Sequence, residues 1–386
     1  MSKKIVVLGM MSRHPVAGII WLTMQYLVGL ERLGYETYYV ESHGATPKMF
    51  MHDGDDGSVR AASFINDVMR RFDLGDRWAF HALHSDRRCY GLSEFALYTL
   101  YRSAALLINL HGGTTPLPEH VETGRLIYLG TDPVLREVEL HQGVQETVEF
   151  FQQHSVLFTW GENQGHPDCR VPVSTRFPFV PTRQPVVMEA WSADGPERDV
   201  FTTVAGWQQL WREIELDGDV YHWSKHFEFL KFLELPAHTR QALELALSGC
   251  DEADVRLLER HGWRVRDAVE VSSDLDVYRR YIVQSRAEFT VAKDQNVRLR
   301  SGWFSDRSAS YLAAGRPVVT QDTGFGNILP TGTGLFGFLT LEEAATAVEA
   351  INSDYRRHSR GAVELARTYF DSDVVLGRLL KDSGVY

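Results

Sequence analysis

The sequence predicts an α/β protein built as two parallel-sheet, Rossmann-like lobes that face each other across a cleft. Three observations carry that expectation. Short apolar runs alternate with amphipathic stretches along most of the chain, which is the pattern of strand–helix–strand units and parallel sheets. Pro172, Pro178, Pro181 and Pro185 fall within fourteen residues and interrupt the alternation, as an extended connection between lobes would. The length of 386 residues exceeds what one hydrophobic core usually serves.

In the first half, residues 5–8 (Ile-Val-Val-Leu) read as a strand. Residues 19–33 carry apolar side chains at helical spacing and stop at Gly34, a residue suited to the left-handed turn after a helix. Residues 37–40 form the next expected strand, closing a first strand–helix–strand unit. The runs 106–110, 126–129 and 156–160 are each apolar, short and followed by a polar or glycine-bearing loop, as buried parallel strands are. Beyond the prolines, 200–205, 263–265, 287–291 and 317–320 read as strands. Residues 226–233, 240–247, 277–285, 341–351 and 362–370 read as helices. The expected division is a first lobe over 1–180, a second over 181–365, and a closing helix within 366–386 that crosses back to the first. No repeat or low-complexity tract interrupts this plan.

Composition is that of an ordinary globular protein, 44% apolar and 24% charged. A net charge of −11 argues against a broad basic face for nucleic acid, while leaving room for a small basic pocket. No apolar run approaches the roughly 18 residues needed to span a bilayer, and the chain enters its first strand without a signal-like segment. Cys89, Cys169 and Cys250 lie far apart and form neither a disulfide framework nor a CxxC pair. A cytoplasmic protein is expected.

Ligands of open α/β sheets bind beyond the carboxyl ends of the strands, so loops at those positions hold the candidate site. His14 follows the first strand and is a candidate general base, because imidazole titrates near neutrality. Asp132 and Glu162 follow two later strands and are alternative bases. Paired glycines in His111-Gly112-Gly113-Thr114 either admit a ligand to the backbone or make a turn. Three other patterns read as incidental. Gly332 to Gly337 matches GxGxxG without a preceding strand or a following helix. Three acidic DxD triplets, at 53–55, 217–219 and 274–276, read as turns. His166-Pro167-Asp168-Cys169 lacks a second ligand pair for zinc.

The second lobe holds the denser constellation. "HWSKHFEFLKFLELP" places Lys225 at a helix start, where a cation is disfavoured by the dipole unless an anion binds beside it. "AEFTVAKDQNVRLRSGWFSDRS" adds Lys293, Arg298, Arg300 and Arg307. A local basic cluster in an acidic chain suggests a phosphorylated ligand. Ser305-Asp306-Arg307-Ser308 opens one helix, and Asp322-Thr323-Gly324-Phe325 follows the strand after it.

The segment "SDRSASYLAAGRPVVTQDTGFGNILPTGTGLFGF" resembles the donor-binding segment of GT-B glycosyltransferases, in which a helix ending at A-x-G-x-P-V-V leads through a strand to a glycine-bearing loop. The blocks "GENQG", "PTRQPV" and "WSKHFEFLKFLELP" are similar to a bacterial glycosyltransferase-like group. The resemblance implies transfer of a sugar from a nucleoside-diphosphate sugar, a UDP-sugar foremost, to a hydroxyl-bearing acceptor such as a small molecule, a glycan or a modified base. It implies no metal and no cofactor beyond the donor substrate, and it allows a homo-oligomer. Lys225, Lys293 and Arg307 would bind the diphosphate, Asp306 or Ser308 the ribose, and Asp322, Thr323, Gly324 and Phe325 the donor sugar. His14, Asp132 or Glu162 would be the base. The chain departs from the retaining pattern, since Ser310 and Gly302 stand where paired glutamates are usual. A nucleotide-sugar epimerase or hydrolase and a non-catalytic nucleotide-sugar sensor are the alternative functions. A dehydrogenase is disfavoured by the misplaced glycine motif.

Overall fold

The computed structural model describes residues 3–42, 57–85, 87–209 and 212–385. The acidic triplet at 53–55 lies outside them. The first sheet has eight strands: β1 (Lys4–Leu8), β2 (Glu36–Glu41), β3 (Trp78–His81), β4 (Cys89–Gly91), β5 (Leu106–Leu110), β6 (Leu126–Gly130), β7 (Val156–Thr159) and β8 (Phe179–Pro181). Their order is β4-β3-β2-β1-β5-β6-β7-β8. All pairings are parallel except β3 with β4. Ile5, Val6, Val7 and Leu8 are all fully buried, because helices cover both faces of a parallel sheet.

The second half supplies β9 (Val200–Gly206), a hairpin of β10 (Ile214–Leu216) and β11 (Asp219–Tyr221), then β12 (Ala242–Ser248), β13 (Arg264–Asp267), β14 (Ala287–Thr290), β15 (Val318–Gln321) and β16 (Leu335–Phe338). Apart from the hairpin, these strands form one parallel sheet in the order β13-β12-β9-β14-β15-β16. In both large sheets the chain winds outward one way and then resumes on the other side, between β1 and β5 and between β9 and β14. Such switch points leave a crevice at the carboxyl edge of the sheet.

Two expectations are corrected. Residues 240–247 are not helical; most of them form β12, paired on both sides by β9 and β13. Leucine, alanine and glutamate favour helices in isolation, but Leu243, Leu245 and Leu247 alternate and all are buried, so tertiary context overrides propensity. The proline-rich stretch is not solely a connection. It contains β8, which pairs with β7 at the sheet edge, a position where Pro181 leaves no central ladder donor missing. The remaining DxD triplets are local structure. Asp217 and Gly218 both adopt positive φ, 54° and 84°, at the β10–β11 turn. Asp274 caps the helix Leu275–Gln284 by accepting from the Asp276 and Val277 amides.

Specific contacts fix one lobe against the other. Gly302 has φ +82°, and a Cβ there would sit 2.3 Å from the Asn163 amide nitrogen. That Asn163 amide donates to the Ser301 carbonyl, and its side chain donates to the Arg300 carbonyl at 2.9 Å. Trp303 Nε1 donates to the Thr131 carbonyl at 3.0 Å. At the other end, the last helix, Ser372–Asp382, lies against the first, Ala17–Arg32, where Gly29 lets Leu376 and Ser372 approach. Val186 and Asp371 form a parallel bridge beside that contact.

Candidate active site

A cavity of about 380 Å³ lies between the lobes. The first lobe contributes Val16, Gly18 and Ile19 at the start of its first helix. The second contributes the ends of β9 and β12, the loop carrying Trp223 and Lys225, Lys293 beyond β14, and Trp303 with Ser305-Asp306-Arg307. The second sheet's switch point thus opens directly into this space.

The three cations of the cavity differ in how they are held. Arg307 is buried, and its Nε donates to Glu288 Oε1 at 2.6 Å. Its other nitrogens donate to Thr290 Oγ1 at 3.1 Å and to the Val204 carbonyl. Burial works against its charge, but Glu288, with Tyr278 and Tyr311 adding, holds the guanidinium pKa above its usual range. Lys293 donates to Asp132 Oδ2 at 2.6 Å, and its ammonium lies 3.1 Å from the centre of the Trp223 ring. Burial lowers its pKa, with Asp132 opposing. Lys225 sits 5.7 Å from the Trp303 ring centre, and among the described residues no carboxylate pairs with it. Burial, with Arg307 and Lys293 nearby, pushes its pKa down to about 7. An ammonium that is desolvated without an anionic partner is the cation most ready to accept one.

Asp306 also lines the cavity, at the first turn of the helix Asp306–Ala313. Burial raises its pKa, while Arg307 and backbone amides oppose the rise. Ser308 lies behind it, fully buried, with its hydroxyl lacking a hydrogen-bond partner. Ser310, at a usual glutamate position, is mostly buried and donates to the Asp306 carbonyl.

Other residues singled out in the sequence lie elsewhere. Asp322 accepts from the Gly324 and Gly326 amides at 3.0 and 3.3 Å and from Arg300 at 3.2 Å. Thr323 is buried and donates to the Trp303 carbonyl. Gly324 has φ +96°, and a Cβ there would meet the Asn163 side chain at 2.5 Å. Phe325 is buried edge-on to Phe304. Of these four residues Gly324 meets the other lobe, at Asn163, the other three are engaged within their own, and none of them lines the cavity. Glu162 is also outside it. Its carboxylate accepts from Arg183 Nε at 3.1 Å and from Nη2, and that arginine stacks over Tyr369 and Phe370. His14 is exposed on the loop after β1.

His111, after β5, has φ +64°. Its Nδ1 lies 2.7 Å from Thr131 Oγ1, and its Nε2 is buried without a partner. Burial, with His14 adding, pushes its pKa down to about 4, so the ring is neutral near pH 7. Trp223, Trp303 and Ser248 are cavity residues that sequence reasoning did not single out. The two tryptophans stood in quoted motifs, but nothing in their spacing marks them as cation platforms. Among the described residues no group of three potential metal ligands assembles, around His166 and Cys169 or elsewhere.

No protein-family model matches the chain, and no curated protein sequence matches it. Solved structures do match over its whole length. An α-glucosyltransferase in complex with UDP and a 13-mer DNA is 11% identical with a TM-score of 0.58, covering 99% of each chain. The glycosyltransferase AviGT4, involved in avilamycin A biosynthesis, is 13% identical with a TM-score of 0.55, covering 99% of this chain and 97% of that one. HepE from Anabaena, in complex with UDP and glucose, is 11% identical with a TM-score of 0.55, covering 98% and 99%. The fold is therefore the two-lobed one of these structures. In particular it is the GT-B fold, which the donor-like segment led one to expect.

Proposed function

We infer that this protein is a glycosyltransferase, moving a sugar from a nucleoside-diphosphate sugar, a UDP-sugar foremost, to a hydroxyl of an acceptor. The observation that carries the reading is the unpaired, desolvated ammonium of Lys225, in an inter-lobe cavity that also holds Lys293 and the mouth of the helix Asp306–Ala313. Fixed cations and a helix N-terminus favour a diphosphate. They also stabilise the charge that develops on it as the sugar leaves. The neighbours with UDP bound support the choice of nucleotide.

In this reading Lys225 and Lys293 bind the diphosphate. Arg307 holds the helix start in place through Glu288. Asp306, at the helix mouth, takes the ribose hydroxyls that a glutamate takes in relatives of this fold. The acceptor enters from the first lobe, where Asp132 or His14 accepts its proton. Asp322, Thr323, Gly324 and Phe325 form a structural turn outside the donor cavity and make no donor contact in this reading. No step requires a metal.

A thermal-shift series with UDP and a panel of nucleotide sugars tests the reading. Ligand at about 100 Kd stabilises the folded chain by roughly 2.7 kcal/mol. A UDP-induced shift, followed by sugar transfer to an added acceptor, is the expected result. Release of free sugar or an epimer without acceptor would instead establish a hydrolase or epimerase. Binding without turnover would establish a sensor.

A further inference from the structure

We propose that Asp132 competes with the donor diphosphate for Lys293, so that donor binding breaks an ion pair between the lobes and releases the Asp132 carboxylate. This inference rests on the donor reading above. Asp132 follows β6 in the first lobe, and Lys293 follows β14 in the second. Their atoms Oδ2 and Nζ are 2.6 Å apart, and Lys293 lines the donor cavity.

Lys293 has two resting partners, and they are unequal. The Trp223 ring is fixed, because Trp223 Nε1 donates to Gln209 Oε1 at 2.7 Å. It can keep the ammonium in place whatever else binds. The carboxylate is the replaceable partner. A diphosphate set against Lys293 would stand beside Asp132, and two anions in a poorly hydrated space repel. Asp132 therefore yields. Its backbone stays, since the neighbouring Thr131 carbonyl accepts from Trp303 Nε1, so the exchange is a side-chain rotation.

The consequence concerns order. While Asp132 Oδ2 is held by the Lys293 ammonium, it is not free to take the hydrogen of an acceptor hydroxyl. Its second oxygen, Oδ1, is buried and has no hydrogen-bond partner. Once Lys293 turns to phosphate, Oδ2 is released and can accept from an acceptor hydroxyl. The acceptor is then activated only when the donor is already present, which makes donor binding the first step.

The test is titration of UDP by calorimetry into wild type, Asp132→Asn, Lys293→Gln and the double variant. Asp132→Asn is expected to bind UDP about fivefold or more tightly, the lower end of usual coupling between linked sites. Lys293→Gln is expected to bind it more weakly, and in that background Asp132→Asn should bring no gain. A merely structural contact would loosen binding when broken, so a gain separates the two roles. Asp132→Ser repeats the comparison with a side chain too short to reach the ammonium. Unchanged or weaker UDP binding by both Asp132 variants, or a gain that persists without Lys293, overturns the inference alone. A wild-type protein that binds no UDP overturns the donor reading and this inference with it.

Discussion

The segments Ser305-Asp306-Arg307 and Asp322-Thr323-Gly324-Phe325 flank the same helix and strand, yet they have different surroundings. The first opens into the cavity between the lobes. The second turns away from it, caps its own turn and closes on Asn163 of the other lobe. Around the cavity the cations are unequal too, because Arg307 is engaged by Glu288, Thr290 and the Val204 carbonyl while Lys225 has no carboxylate partner among the described residues. Proximity to a strand end therefore does not assign a role; the partners of each side chain do.

The largest effect should come from Arg307→Met. It leaves Glu288 buried without its countercharge, and the loss of stability in urea should be about 3–5 kcal/mol. A loss under 1 kcal/mol would show that Arg307 is a ligand group and not a strut. Gly324→Ala comes next, because it combines a positive φ with a close side-chain contact. About 2–3 kcal/mol should be lost in the same assay, with UDP affinity of the folded fraction unchanged. A selective loss of affinity would move the second flank into the site.

Lys225→Met should leave stability intact or improved, while weakening UDP binding by about 1.5–3 kcal/mol, the usual worth of a charged hydrogen bond. Its pH dependence is a sharper check. An unfolded lysine titrates near 10.4, whereas Lys225 in the fold titrates near 7. Between these values the unfolded chain holds the extra proton, so the free protein gains stability as pH rises through that window. UDP affinity should run the opposite way, falling from pH 6 to 9, and Lys225→Met should flatten both profiles. The smallest effect is expected for Asp322→Ala, which loses the turn caps at a cost of about 1 kcal/mol and leaves UDP affinity unchanged.

The fold was legible where one signal dominated. The five-residue run of β5 and the stop at Gly34, with φ +87°, follow from local chemistry alone. β12 was not legible, because Leu-Glu-Leu-Ala-Leu suits a helix until two neighbouring strands claim it. The β10–β11 hairpin is too short to show a period. Within the site, Lys225, Lys293 and Arg307 could be picked out as cations, but the partners of Lys293 and Arg307 could not. Glu288, Asp132 and Trp223 lie 19, 161 and 70 positions from the cations they hold, and no sequence pattern encodes such pairings.

The first helix has its own consequence for biogenesis. The surface of Ala17–Arg32 around Gly29 is covered by Leu376 and Ser372, which are made more than 340 residues later. On a ribosome adding about 5–20 residues per second, that surface stays open for as long as the intervening residues take to emerge. The amino-terminal half therefore waits for the carboxyl end to finish it. Truncation before Ser372 should leave a nascent-like species whose hazard is association through an uncovered helix, far from any residue that touches substrate.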